Sequence, residues 1–224
     1  MSGAESMCVS TCPLDAHRVH PHPGASHPCR ADLCQRTATA GEAIRLTRLG
    51  ARASLVTHLT GLEKTVANRL YRQLHGKPSP PGQMPFTDAW YLREDRRMLH
   101  ATLAWRLSQR LATQDLSPGR RLIEVYESYR WLVPHPLLDI TRVAFVPQLV
   151  AMQDWQAHTC AGCGSEYLAP TGSLGATCWA CRLHRRYRCR QCGEPLPAQA
   201  KGRYRHLCPT CQRGRQRSSL VTWP

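Results

Sequence analysis

No stretch of this 224-residue chain approaches the roughly 20 consecutive apolar residues of a membrane span. Its opening, MSGAESMCVSTCPLDAHRVH, lacks the basic start and apolar run of a secretory signal. The expectation is a cytoplasmic protein with no membrane partner. Aromatic residues make up 7% and hydrophobic residues 42%, too little for one large core along the whole length, so part of the chain needs a staple. No nucleophile, base and orienting group stand at motif spacing, which leaves no catalytic constellation and argues against an enzyme. Acid is also scarce, with 15 Asp and Glu against 30 Lys and Arg, a formal charge of +15.

The staple is visible in the twelve cysteines. Eight of them form two tandem sets. Cys160 and Cys163, then Cys178 and Cys181, are CxxC pairs fourteen residues apart; Cys189 and Cys192, then Cys208 and Cys211, repeat the pattern across fifteen. In a reducing compartment such pairs serve as metal ligands or redox centres more often than as structural disulfides. A thioredoxin-like pair needs a single CxxC within a βαβ pattern, which is not what four pairs provide. An iron–sulfur cluster accepts four thiolates, but the CxxCxxC spacing of ferredoxins is missing. Two CxxC turns facing each other do make a closed tetrahedral thiolate cage, so the expected cofactor is Zn2+ at both quartets. Gly162, Gly164 and Gly193 suit the backbone of such knuckles.

The charge lies beside these cysteines. Between Arg182 and Arg217 there are eleven Lys and Arg against Glu194 alone, which is +10 of the +15. A four-thiolate zinc site carries −2, so two sites lower +15 to +11 and leave a strong excess. Arginine outnumbers lysine there ten to one, and its planar fork suits bidentate contact with phosphate or guanine. The expected partner is nucleic acid, with Arg182, Arg185, Arg186, Arg188, Arg190, Lys201, Arg203 and Arg205 as candidate contacts. An anionic membrane fits less well, because no amphipathic apolar face accompanies the arginines. Trp179, Tyr187 and Tyr204 could stack on bases or pack over a knuckle.

Upstream the pattern is helical. Residues 1–41, with Pro21, Pro23 and Pro28 and irregularly spaced Cys and His, read as a disordered extension. Leu49, Ala53, Val56 and Leu59 share a helical face, and Thr60 to Glu63 fit a capping box opening a second helix with Leu62, Val66, Leu70 and Leu74 inward, stopped by Gly76 and Pro78. Such a pair is either a helix-turn-helix, with Lys64, Asn68 and Arg72 as candidate DNA contacts, or an ordinary helical hairpin. Asp88 is placed to cap a helix striped with Leu99, Leu103, Leu107 and Leu111. Ser117 caps another, with Leu122, Val125, Tyr126 and Tyr129 inward, and a last helix spans Leu137 to Gln153 with a bend expected at Pro147. Trp90, Trp105, Tyr126 and Trp131 read as core. The predicted fold class is therefore mainly α: a helical domain over residues 42–158, then zinc-ribbon-like modules at 159–185 and 186–224, the second including the basic tail.

LTRLGAR (Leu46 to Arg52), RLYRQLHGKPSPPGQMPF (Arg69 to Phe86) and LLDITRVAFV leading into CAGCG and CWAC resemble the bacterial flagellar transcriptional activator FlhC family over about residues 42–185. The resemblance implies a DNA-binding activator subunit that forms a hetero-oligomer with an FlhD-like protein and occupies promoter DNA of flagellar operons, where it helps RNA polymerase to start. It also implies that Cys160, Cys163, Cys178 and Cys181 are zinc ligands. The second quartet follows where chains of that family usually end, and the first forty residues have no counterpart in it. The competing readings are a zinc-ribbon RNA- or ribosome-binding protein and, further off, a thiol-redox or metal-dependent enzyme.

Overall fold

The computed structural model describes residues 31–81, 84–196 and 206–218. Residues 1–30 of the N-terminal extension, and Lys201, Arg203, Tyr204 and Arg205, lie outside the described residues. The described elements run α1 (Ala31–Arg48), α2 (Ala53–Thr60), α3 (Lys64–His75), α4 (Ala89–Leu92), α5 (Asp95–Leu111), α6 (Pro118–Leu132), α7 (Ile140–Ala151), β1 (Trp155–Thr159), β2 (Glu166–Pro170), α8 (Trp179–Arg186) and α9 (Pro209–Ser218). The fold is mainly helical, with the two cysteine quartets at its C-terminal end. It divides into two compact units, one formed by the chain up to Met84 with Leu111–Glu127, the other by Pro85–Arg110 with Ser128 onward.

In the first unit α1, α2 and α3 pack against one another. Helix α1 begins at Ala31, ahead of the boundary expected at Glu42, so residues 31–41 of the stretch read as disordered are helical. Ala43, Leu46 and Thr47 bury its last turns, and the Thr47 hydroxyl is satisfied by donating to the Ala43 carbonyl at 2.7 Å. Leu49 does not continue into α2, since Gly50 at φ +89° turns the chain first. The expected capping box is not formed. Thr60 ends α2 and donates its hydroxyl back to Val56 O at 2.7 Å, Gly61 closes that helix at φ +70°, and Glu63 makes no side-chain cap bond. A threonine before glycine thus acts as a C-terminal stop, and the left-handed glycine decides. On α3 the buried residues are Ala67 and Tyr71, whereas Val66 is 45% exposed. Periodicity gives the spacing of a stripe but not which of two adjacent stripes turns inward. Ser117 does cap α6, accepting the amide of Arg120 at 3.0 Å, and a two-pronged Arg45–Glu127 pair links α1 to α6.

The second unit carries the larger core, with Tyr91, Met98, Ala101, Tyr129, Leu138, Ile140, Leu149, Trp155 and Leu168 buried. On α5 the inward stripe is Met98, Ala101, Thr102 and Trp105 rather than the half-buried leucines at 99, 103, 107 and 111. Trp131, expected in the core, is 85% exposed, because α6 ends one residue later and its indole sits on the outer face. Asp88 makes no cap; its carboxylate instead accepts the indole N–H of Trp155 at 2.9 Å. That bond, the edge of Tyr91 against Trp155 at 5.2 Å, and a bond from the Leu168 amide to the Thr102 hydroxyl at 3.2 Å fasten the β1–β2 hairpin to α4 and α5. The strands pair antiparallel from Trp155 opposite Pro170 to Thr159 opposite Glu166.

Helix α7 starts at Ile140, later than Leu137, for a specific reason. The amides of Leu137 and Leu138 are committed to the Tyr129 hydroxyl, at 2.9 and 3.2 Å, and Asp139 then caps the helix through the Arg142 amide at 2.8 Å. With both oxygen lone pairs accepting, Tyr129 donates its proton to Nδ1 of His100, 2.6 Å away. The ring must therefore be neutral. Burial, and secondarily the charge of Arg96, push the His100 pKa below 6.5. The unfolded chain takes up this proton first, so the contribution to stability is complete above pH 6.5 and is lost as pH falls below it. Thermal melts of wild type and His100→Asn should show a wild-type advantage that shrinks below pH 6.5; a constant gap from pH 8 to pH 5 contradicts the assignment.

Candidate metal centres and basic surface

Each cysteine pair is placed by a short, defined backbone. Cys160 follows β1, its amide donating to Ser165 O at 3.0 Å, while the Gly164 amide returns to Cys160 O at 2.9 Å with Gly164 at φ +70°. Cys178 caps α8, its sulfur accepting the Cys181 amide at 3.4 Å. The two halves are joined by a bond from the Ala161 amide to Ala176 O at 2.8 Å. The second quartet repeats the three backbone bonds. The Cys189 amide donates to Glu194 O at 2.7 Å, Gly193 at φ +78° donates to Cys189 O at 2.9 Å, and Arg190 donates to His206 O at 3.0 Å. In both modules a helix starts directly after the third cysteine. The burial order of the four cysteines is also the same: buried, exposed, buried, half-buried.

The sulfurs of each quartet all lie within 4.8 Å of one another, so each quartet could hold a metal ion. A tetrahedron with metal–sulfur bonds of about 2.3 Å has edges of about 3.8 Å. Cys160 to Cys181 is 3.8 Å, Cys163 to Cys178 is 3.7 Å and Cys192 to Cys208 is 3.5 Å, whereas a disulfide requires about 2.05 Å. Backbone amides of Cys178 and Gly162 point at Cys160 Sγ, at 3.2 and 3.3 Å. These amides, that of Cys178 foremost, lower the Cys160 pKa to about 6, which makes it a thiolate. Cys181 is pushed up to about 12, mainly by the Cys163 and Cys178 sulfurs beside it. In the second set burial raises Cys189, but the amides of Cys192, Cys208 and Gln191 outweigh it and bring the pKa to about 6. Cys211 rises to about 12 for the same reason as Cys181, with Cys192 the main neighbour. Crowded sulfurs that cannot all ionise together are the electrostatic signature of a site suited to a divalent cation. There is no room to spare, since a Cβ on Gly162 would stand 3.1 Å from Arg185 Nη2 and 3.5 Å from Cys181 Sγ.

Apolar cover differs between the modules. Around the first quartet Tyr167 and Ala169 are buried, Trp179 packs against them and donates its indole N–H to Leu168 O at 2.6 Å, and Tyr167 donates to Gly175 O. Trp179 is thus a lid over the knuckle, with Arg182 4.7 Å above its ring. Among the described residues the second quartet is covered by Leu207 and a half-buried Leu196.

The basic residues divide. Arg182 and Arg186 both reach the Asp95 carboxylate, at 3.3 and 3.2 Å, and Arg188 donates to Gly193 O at 3.0 Å. Arg185 and Arg190 are exposed beside them. Lys64, Asn68 and Arg72 share an exposed face of α3, where the Asn68 amide group donates back to Lys64 O at 2.8 Å. The sequence alone does not single out Asp95. Its pairing with Arg186 spans 91 residues, and nothing local announces it.

Helices leading into two thiolate modules flanked by arginine define a helical protein with metal-ready terminal modules. Residues 31–207 match the family described as Flagellar transcriptional activator (FlhC), and the chain belongs to that family. It is 29% identical over 135 residues to the flagellar transcriptional regulator FlhC of Paraburkholderia atlantica, an alignment covering 57% of this chain and 61% of that one. The regulators of Variovorax paradoxus (strain S110) and Serratia marcescens are 27% and 26% identical, covering 62% and 56% of this chain and 72% and 68% of theirs. The family match ends one residue before Cys208, so the last two cysteines of the second quartet fall beyond it.

Elemental analysis of the purified chain should find about two metal ions per molecule. Chelation should expose the second module to protease before the first, because fewer apolar side chains cover it. One ion per chain contradicts two filled cages, and the reverse order of loss contradicts the part given to the apolar cover.

Proposed function

We propose that the protein is a DNA-binding transcriptional activator subunit that works with an FlhD-like partner at flagellar or related promoters and helps to recruit RNA polymerase. The family match carries this reading, and the names of the relatives describe transcriptional regulators rather than enzymes. The concentration of arginine around the cysteine modules supports it, because phosphate contacts dominate affinity for DNA. Among the described residues no helix is long and apolar enough to cross a membrane.

Zn2+ is the proposed ion at both quartets, held by Cys160, Cys163, Cys178 and Cys181, and by Cys189, Cys192, Cys208 and Cys211. Closed four-thiolate cages favour zinc in a structural role, and the ion supplies folding energy rather than chemistry. The chain's own part is to aim backbone amides at the sulfurs and to carry arginines on the helix that each cage nucleates. The proposed division of labour gives residues 42–158 to assembly with the partner and the modules at 159–185 and 186–224 to DNA, with Lys64, Asn68 and Arg72 as further candidate contacts on α3.

Co-expression with an FlhD-like protein followed by footprinting on a flagellar promoter should give a protected tract. Affinity should fall steeply with salt, by about 0.9 log units per log unit of salt for each phosphate contact. A preference for structured RNA over promoter duplex favours the RNA-binding alternative instead. Cys163→Ser should lose one zinc per chain and, in the same footprint, most of the protection; full protection by the zinc-depleted variant contradicts a structural metal.

A further inference from the structure

Between the two cysteine modules lies a groove of about 1370 Å³. Arg182, Arg185 and Arg186 of α8 line one side, and Arg188, Arg190 and His206, which belong to the second module, line the other. Among the described lining residues the only carboxylate, Asp95, is 11% exposed and already engaged by Arg182 and Arg186. Five guanidiniums against one acid leave +4 on the arginine and aspartate side chains of one concavity, more than the −2 of the adjoining thiolate cage that Cys189 belongs to. Such a density of like charge is unfavourable alone and calls for an extended anion. A small ligand fits poorly, since the volume exceeds the roughly 300–1,000 Å³ of ordinary small-molecule sites and five arginines converge on the walls. One DNA strand, with a phosphate about every 3.4 Å along the axis, presents several charges to a trough of this size.

We propose that this groove seats the phosphate backbone of one strand of a DNA duplex, with Arg185, Arg188, Arg190 and His206 as the phosphate donors. This rests on the DNA-binding reading above and adds to it a surface that the first module cannot form alone. The family match stops at residue 207, so the cage that holds the far wall is closed only by Cys208 and Cys211 beyond it. The contacts bind backbone rather than bases, and the second module therefore lengthens the footprint without changing the sequence that is read.

The test uses the metal-loaded full chain and two double variants with the same loss of charge. One is Arg185→Gln with Arg190→Gln in the groove. The other is Arg106→Gln with Arg110→Gln, both exposed on α5 and outside it. Retention of two metal ions by both variants shows that they are folded. For a short mixed-sequence duplex near 0.1 M salt, the groove variant should bind on the order of 10- to 100-fold more weakly, with a salt slope smaller by about 2. The α5 variant should move far less in both. Equal behaviour of the two variants overturns the groove while leaving DNA binding intact. If the unmodified chain with its partner binds no duplex, the functional reading falls and the groove with it. Tighter binding of an RNA hairpin than of the duplex by the unmodified chain overturns the assignment of the strand to DNA.

Discussion

Each knuckle depends on how four sulfurs are brought within a few ångströms of one another. Thiolates at that separation repel, and the backbone answers first by pointing amides at them, as Gly162 and Cys178 do at Cys160. What remains of the repulsion selects for a divalent cation. With the cage closed, β1, β2 and α8 have fixed directions, and the arginines of α8 stand where Asp95 can hold two of them. The basic surface is thus a consequence of the sulfur geometry and would have no shape without it.

The cage in turn needs a foundation, which the helical part supplies through a few polar bonds. Trp155 is held by Asp88, and Leu168 by Thr102, so each strand of the hairpin has one side-chain tie to a helix as well as its apolar face. Tyr129 serves similarly within the helices, ending one segment and allowing the next to begin. These ties are single bonds worth about 1 kcal/mol net, but losing a buried partner costs more, up to about 3 kcal/mol. They fix orientation more than they add to stability.

The cysteine sets were legible from the sequence because their chemistry is local: a CxxC turn contains its own geometry, and the spacer sets the second turn. The helices were legible as a class for the same reason, and the Ser117–Pro118 start and the Gly76 stop each depend on one or two neighbours. What the sequence left open was decided by contacts distant along the chain. Whether Val66 or Ala67 faces inward, whether Trp131 is covered, and whether Asp88 caps a helix or receives an indole all depend on what packs against them. Asp95 belongs to that group. An isolated aspartate at a helix start has an ordinary local role, and only the return of α8 gives it two arginines.

The repeated knuckle is a local turn set in a wider frame. Among the described residues, the backbone bonds that turn each knuckle connect residues of the same short segment, while the first knuckle is also tied to α5 through Thr102 and Asp95. The second knuckle thus repeats the local turn of the first, and the basic surface takes its shape from both knuckles together with Asp95.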